Sequence, residues 1–157
     1  MRIEYFQLID RIIDLNLNDL TIRVEANVPT ESTIFEGHFP GRPLMPGVLL
    51  IETMAQASGW LVVATNNFSR MPFLAAVKEA KLRTFVTPGQ VLSVSAELLH
   101  DGSGYAITEA HITCDGKAIC DATLTFSVLA FPNPDMKKQM RETAAKIGFP
   151  TGALADG

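Results

Sequence analysis
The stretch Phe35-Glu36-Gly37-His38-Phe39-Pro40-Gly41-Arg42-Pro43-Leu44-Met45-Pro46-Gly47-Val48-Leu49-Leu50-Ile51-Glu52 brings three chemically useful groups close together in sequence. His38 stands in an apolar loop held by glycine and proline, and an imidazole exchanges a proton near neutral pH. Gly47 opens what reads as a helix, where the first backbone N–H groups have no partner within the helix. Glu52 is a carboxyl on a helix that is otherwise almost wholly apolar, and no Lys or Arg falls between Pro46 and Ala64 to pair with it. Gln56 lies one turn further on the same face. A lone loop histidine ordinarily satisfies backbone groups. A base, an amide donor and an acid together suit proton transfer beside a carbonyl, with Glu52 in a functional cavity or at a subunit interface.

The elements that must hold these groups can be read on either side of them. Leu8–Leu15 and Leu20–Val28 are apolar and β-branched and flank the turn-like Asn16-Leu17-Asn18-Asp19, so a hairpin is expected. Thr30–Pro46 holds three prolines and two glycines without a period, which predicts an irregular loop, packed inward by Ile34, Phe35, Phe39, Leu44 and Met45. Pro46 suits the first turn of a helix reaching to Asn66-Asn67, apolar on every face and therefore covered all around. Four strands follow: Pro72–Arg83, Gln90–Leu99, Tyr105–Cys114 and Lys117–Val128, the last two joined by the hairpin signal Asp115-Gly116. Alternation places Ala118, Cys120, Ala122, Leu124, Phe126 and Val128 on one face, and Leu92, Val94, Ala96 and Leu98 repeat the pattern. An antiparallel sheet and a wholly apolar helix satisfy each other only if the sheet curves around the helix, the α+β hotdog arrangement.

Length and composition bound the function. A chain of 157 residues, 47% hydrophobic and 19% charged, is expected to form a globular core. A net charge of -4 argues against a nucleic-acid or anionic-membrane binder, so an acidic partner must meet a local basic patch. Pro46–Ala64 reaches membrane-spanning length but holds Glu52, Thr53, Gln56 and Ser58, and is read as a buried helix. Cys114 and Cys120 cannot form a disulfide scaffold, and pairing of Cys114 with Lys117 and of Cys120 with His111 would keep them apart as buried thiols. No signal peptide follows Met1, so a cytoplasmic location is expected. His100 and His111 face outward by alternation, and no metal-ligand spacing, Walker loop or dinucleotide fingerprint is present, so neither metal nor cofactor is expected. Residues 1–131 read as the hotdog domain. Residues 132–157 read as an extension with an amphipathic helix capped by Asn133, with Pro134 at its first position, a Met136, Met140, Ala144 and Ile147 face and Gly148 at its close; from Pro150 the end should fray.

Gly37-His38-Phe39-Pro40-Gly41-x-Pro43-x-Met45-Pro46-Gly47-Val48-Leu49, followed by Ile51-Glu52-x-x-Ala55-Gln56, resembles the signature of the FabZ-type 3-hydroxyacyl-acyl-carrier-protein dehydratases. The resemblance extends to Asp10-Arg11, to Lys78-x-x-Lys81-x-Arg83-x-x-Val86-x-Pro88-Gly89 and to Asp115-Gly116. It implies a hotdog homodimer, often a trimer of dimers, dehydrating 3-hydroxyacyl thioesters on an acyl carrier protein to trans-2-enoyl thioesters in fatty-acid biosynthesis. It places His38 as the base for the C2 proton, the Gly47 amide at the thioester oxygen, and Glu52 from the other subunit at the leaving hydroxyl. The chain departs from the pattern at Ile3-Glu4-Tyr5-Phe6, at Glu31-Ser32 and in its longer tail, which leaves substrate length and a specialised acyl chain open.

Phe39, Met45, Val48, Gln56 and Trp60 are the expected contacts for the acyl chain, being placed on the loop and helix beside the reagents. Arg70, Lys78, Lys81 and Arg83 form the expected carrier-docking patch, with Arg42 as the next choice; solvated charges on a strand edge are the plain alternative. A hotdog thioesterase and a non-catalytic acyl-carrier-binding module are the rival readings. The first has no call for a His in a Gly-His-Phe-Pro-Gly loop, and the second has no use for His38 and Glu52 together.

Overall fold
Alternation along the strands becomes the inner face of a six-stranded antiparallel sheet in the computed structural model, which describes residues 1–150. The strands are β1 (Arg11–Asn16), β2 (Thr21–Asn27), β3 (Arg70–Leu82), β4 (Val91–Gly102), β5 (Tyr105–Cys114) and β6 (Lys117–Ala130). Their order is β1-β2-β4-β5-β6-β3, so the strand that follows the long helix crosses over to the far edge and pairs with β6. The helices are α1 (Thr33–Gly37), α2 (Gly47–Thr65) and α3 (Pro134–Lys146). The sheet wraps α2, which packs against β2, β3, β4, β5 and β6. This is the expected hotdog arrangement.

The sheet covers most of α2 but not all of it, so the expected all-round cover is corrected: Val48 is 72% exposed, and Ile51, Glu52, Gln56 and Gly59 are only partly buried. By length and composition Gly47–Thr65 could cross a membrane, but two thirds of it is buried within the fold. Met54, Ala57, Leu61, Val62 and Val63 are sealed from solvent among the inward side chains of the sheet. Two polar side chains are buried with them as a pair: Thr108 Oγ1 donates to Ser58 Oγ at 2.8 Å and ties β5 to α2. Thr53 Oγ1 donates back to Leu49 O at 2.7 Å, the local bond that lets a hydroxyl lie among apolar neighbours in the core.

The Asp115-Gly116 turn forms as expected, with φ of 49° and 76°, the paired positive values that a two-residue hairpin needs. Three local expectations are corrected. The loop before α2 is not wholly irregular: Ser32 caps it by accepting from Ile34 N–H at 3.1 Å, and one short helix, α1, forms. Pro46 stands at the N-cap rather than within the first turn, since its ψ of 135° is not helical. Cys120 pairs with Ile112, not His111, because a bulge between Ile112 and Thr113 shifts the register. That bulge turns Ile119 and Cys120 inward together and leaves Ala118 outside. Both thiols remain free and buried.

The C-terminal helix is built as its sequence requires. Asn133 Oδ1 accepts from Met136 N–H at 2.8 Å, and Gly148, at a φ of 78°, closes the end. It is more than a surface addition, because Ala144, Ile147 and Phe149 are buried in the main core. Of the end expected to fray, all but Pro150 lies outside the described residues.

Candidate functional site
His38 caps the C-terminus of α1 and is half-buried. Its Nδ1–H donates to Leu44 O at 2.9 Å, while Leu44 N–H donates to His38 O at 2.8 Å, so the loop closes on itself around the imidazole. Phe39 stacks on the ring at 4.1 Å between centroids. With a carbonyl occupying Nδ1, the lone pair is on Nε2, the nitrogen left to act as a base. The loop is moored to the rest of the fold by Met45 N–H donating to Val86 O at 2.8 Å.

The start of α2 lies alongside. His38, Phe39, Met45 and Gly47 share a cavity of about 340 Å³ with Leu82, Phe85 and Val86 from the end of β3 and the segment after it. Gly47 lies close to Leu82: a Cβ there would sit 2.5 Å from Leu82 Cδ1, so the Leu82 side chain would have to move. Gly47 thus sets the start of α2, with the positive end of its helix dipole, on the wall of this cavity.

Glu52 stands on a different wall. It lines a cavity of about 520 Å³ with Gln56, Trp60, Met71, Pro72 and Phe126. Its Oε1 accepts from Gln56 Nε2 at 3.2 Å. Gln56 is fully engaged by protein: Nε2 also donates to Phe6 O at 2.7 Å, and Oε1 accepts from Leu8 N–H at 3.1 Å. The amide thus clamps the N-terminal segment to α2 and fixes one oxygen of Glu52, which leaves Oε2 for other partners.

Within one chain, therefore, the fold brings His38, Gly47, Phe39 and Met45 together and places Glu52, Gln56 and Trp60 elsewhere. Val48 lines neither cavity and is 72% exposed. Lys78 and Lys81 are exposed on β3, Arg70 is exposed at its start, and Arg42 is exposed in the loop. Arg83 lines the His38 cavity and its Nε–H donates to Asp121 Oδ2 at 2.8 Å. Sequence reasoning missed Leu82 and Phe85 in the His38 cavity, although both fall inside the Lys78–Gly89 motif; their exposure of 53% and 76% marks them in the fold. Among the described residues no three His, Cys, Asp or Glu side chains gather as metal ligands would.

A family profile described as a FabA-like domain matches residues 2–123. Among curated proteins, the chain is 39% identical over 122 residues to a 3-hydroxyacyl-[acyl-carrier-protein] dehydratase FabZ of Levilactobacillus brevis, covering 77% of this chain and 82% of that one. It is 34% identical over 123 residues to the FabZ of Clostridium acetobutylicum, covering 78% and 86%. Solved structures share the fold: a hypothetical thioesterase with coenzyme A from Streptococcus pneumoniae has a TM-score of 0.62 at 18% identity, over 78% of this chain and 88% of that one. A dehydratase heterocomplex from Xenorhabdus doucetiae has a TM-score of 0.61 at 20% identity, over 87% and 90%.

Proposed function
From the premise that this chain belongs to the FabA-like family, among its FabZ-type dehydratases, we propose that it removes water from 3-hydroxyacyl thioesters on an acyl carrier protein. The product is the trans-2-enoyl thioester of fatty-acid biosynthesis. The observation that carries this reading is the His38 imidazole, oriented through Nδ1 by Leu44 O beside the start of α2.

Each step is assigned to one group. His38 Nε2 takes the C2 proton; the electron pair moves toward the thioester, and the oxygen that gains charge faces the Gly47 N–H and the helix dipole. The C3–O bond breaks, and Glu52, held at Oε1 by Gln56, protonates and positions the departing hydroxyl through Oε2. The leaving group departs as water. Because Glu52 and His38 line separate cavities in one chain, a complete site takes each from a different subunit of a homodimer.

The free edge of the sheet supports that assembly. β3 is thirteen residues long, lies at the edge, and exposes Leu74, Val77 and Leu82, a ready template for pairing with a second copy of itself. The exposed Lys78 and Lys81 give an acidic carrier a local basic surface on a chain of net charge -4.

Incubation with a 3-hydroxyacyl carrier should yield the conjugated enoyl thioester, and His38→Ala should lower the rate by about 10²- to 10⁴-fold. Release of free thiol without enoyl product would replace the dehydratase reading with a thioesterase. Lys78→Glu with Lys81→Glu should raise KM for carrier-linked substrate in a salt-sensitive way and spare a small soluble thioester; equal loss on both would place carrier docking elsewhere.

A further inference from the structure
The cavity that holds Glu52 is not closed by the family domain alone. The family profile ends at residue 123, yet Met140, Thr143, Lys146 and Ile147 of the C-terminal segment line this same space. Trp60 stands eight residues beyond Glu52 on α2, roughly 12 Å along the helix axis at the usual rise per residue. Phe126, Met140 and Ile147 line the cavity with it, so the space that holds the carboxylate also has apolar walls.

The C-terminal segment is fixed in place. Ile147 O accepts from Ile12 N–H at 2.7 Å, which joins the end of α3 to β1. Phe149, only 4% exposed, packs 5.8 Å from the Trp60 ring and 5.4 Å edge-on to Phe68. The Arg141 guanidinium lies 4.9 Å over the Phe68 ring. A segment anchored at three places behaves as a wall. The charged groups on the same cavity are otherwise employed or face water: Asp10 pairs with the amino terminus, Arg2 lies over Tyr5, and Lys146 is exposed.

We propose that α3 is a specificity element, in which Met140 and Ile147 form the end wall for the distal carbons of the acyl chain and set the longest chain accepted. This rests on the dehydratase reading for the identity of the ligand. A cavity of about 520 Å³ continuous from Glu52 suits an acyl tail, and each methylene that finds apolar contact is worth about fourfold in binding.

The test measures kcat/KM across a series of 3-hydroxyacyl thioesters of increasing length. Met140→Ala should raise the value for chains just beyond the natural limit by about tenfold, and Met140→Trp should lower it for chains at the limit by a similar factor while sparing the shortest. Equal change at every length would overturn the proposal. A second readout needs no turnover, since Trp60 is the only tryptophan. An acyl-pantetheine thioester brominated at its terminal carbon should quench Trp60 emission more strongly as the chain lengthens towards the limit. Saturable binding of long brominated chains without quenching would overturn the placement. Absence of enoyl product from every substrate, with quenching retained, would overturn the dehydratase reading and leave the apolar slot standing.

Discussion
At the scale of single residues, the fold sorts similar groups by what surrounds them. His38 and His100 both use one ring nitrogen on a backbone carbonyl, but His38 lines a cavity whereas His100 reaches Gly102 O at 3.1 Å and stacks on Tyr105. The thiols are held out of chemistry by burial. Cys120, against Met54 Sδ at 4.0 Å, has its pKa pushed up from the ordinary 9.0 to about 12, chiefly by desolvation and secondarily by Asp121. Cys114 is raised in the same direction, again by burial first. Between pH 9.0 and about 12 the folded chain keeps the Cys120 proton that the unfolded chain has lost. The stabilisation from the neutral buried thiol is thus full below that window and is lost as pH rises through it, by on the order of 1 kcal/mol per pH unit. Chemical denaturation at pH 8 and pH 11 should show a steeper loss for the natural protein than for Cys120→Ala; parallel losses would show that this thiol does not titrate with unfolding.

At the scale of elements, the contact between the start of α2 and the end of β3 decides the shape of the His38 cavity. A methyl group at Gly47 would meet Leu82 Cδ1 at 2.5 Å, but Leu82 is half-exposed and its flexible end can turn away. Gly47→Ala should therefore leave stability within about 1 kcal/mol, since the helix gains from alanine what the contact loses. Activity should fall by tenfold or more as Leu82 is driven into the space beside His38. Adding Leu82→Ala should recover part of the activity, which paired measurements of melting temperature and kcat/KM would show. A Gly47→Ala protein that unfolds, or a double variant with no recovery, would mean that the clash is taken up by the backbone.

At the scale of the whole molecule, the fold sets His38 and Glu52 in two separate cavities, and the proposed reaction needs both groups. Mixing inactive His38→Ala and Glu52→Ala subunits under conditions that exchange dimers should return activity, because one of the two sites in a mixed dimer then carries both groups. Up to about one quarter of the natural activity is expected from random pairing, read as recovered rate after exchange is verified with tagged subunits. Exchange without recovery would require His38 and Glu52 to act within one chain.

Much of this is legible in the amino-acid sequence. The turn residues, the period-two strands and the all-apolar helix each report on neighbours within a few residues, and they give the hotdog class, the hairpins and the capped C-terminal helix from local chemistry alone. The Gly-His-Phe-Pro-Gly loop and Glu52 on its helix are equally plain, because proximity in sequence puts an imidazole, a helix start and a carboxyl in one segment. Tertiary packing decided the rest. Nothing local tells that Gln56 spends its amide on Phe6 and Leu8, some fifty positions away, or that Leu82 bounds the space next to Gly47. The bulge that displaces Cys120 from His111 appears only in the pairing of β5 with β6, and the place of α3 on the cavity wall comes with Phe149 packing against Trp60 and Phe68. Sequence patterns set which face of an element is apolar; which distant faces meet is fixed only when the whole chain closes around one core.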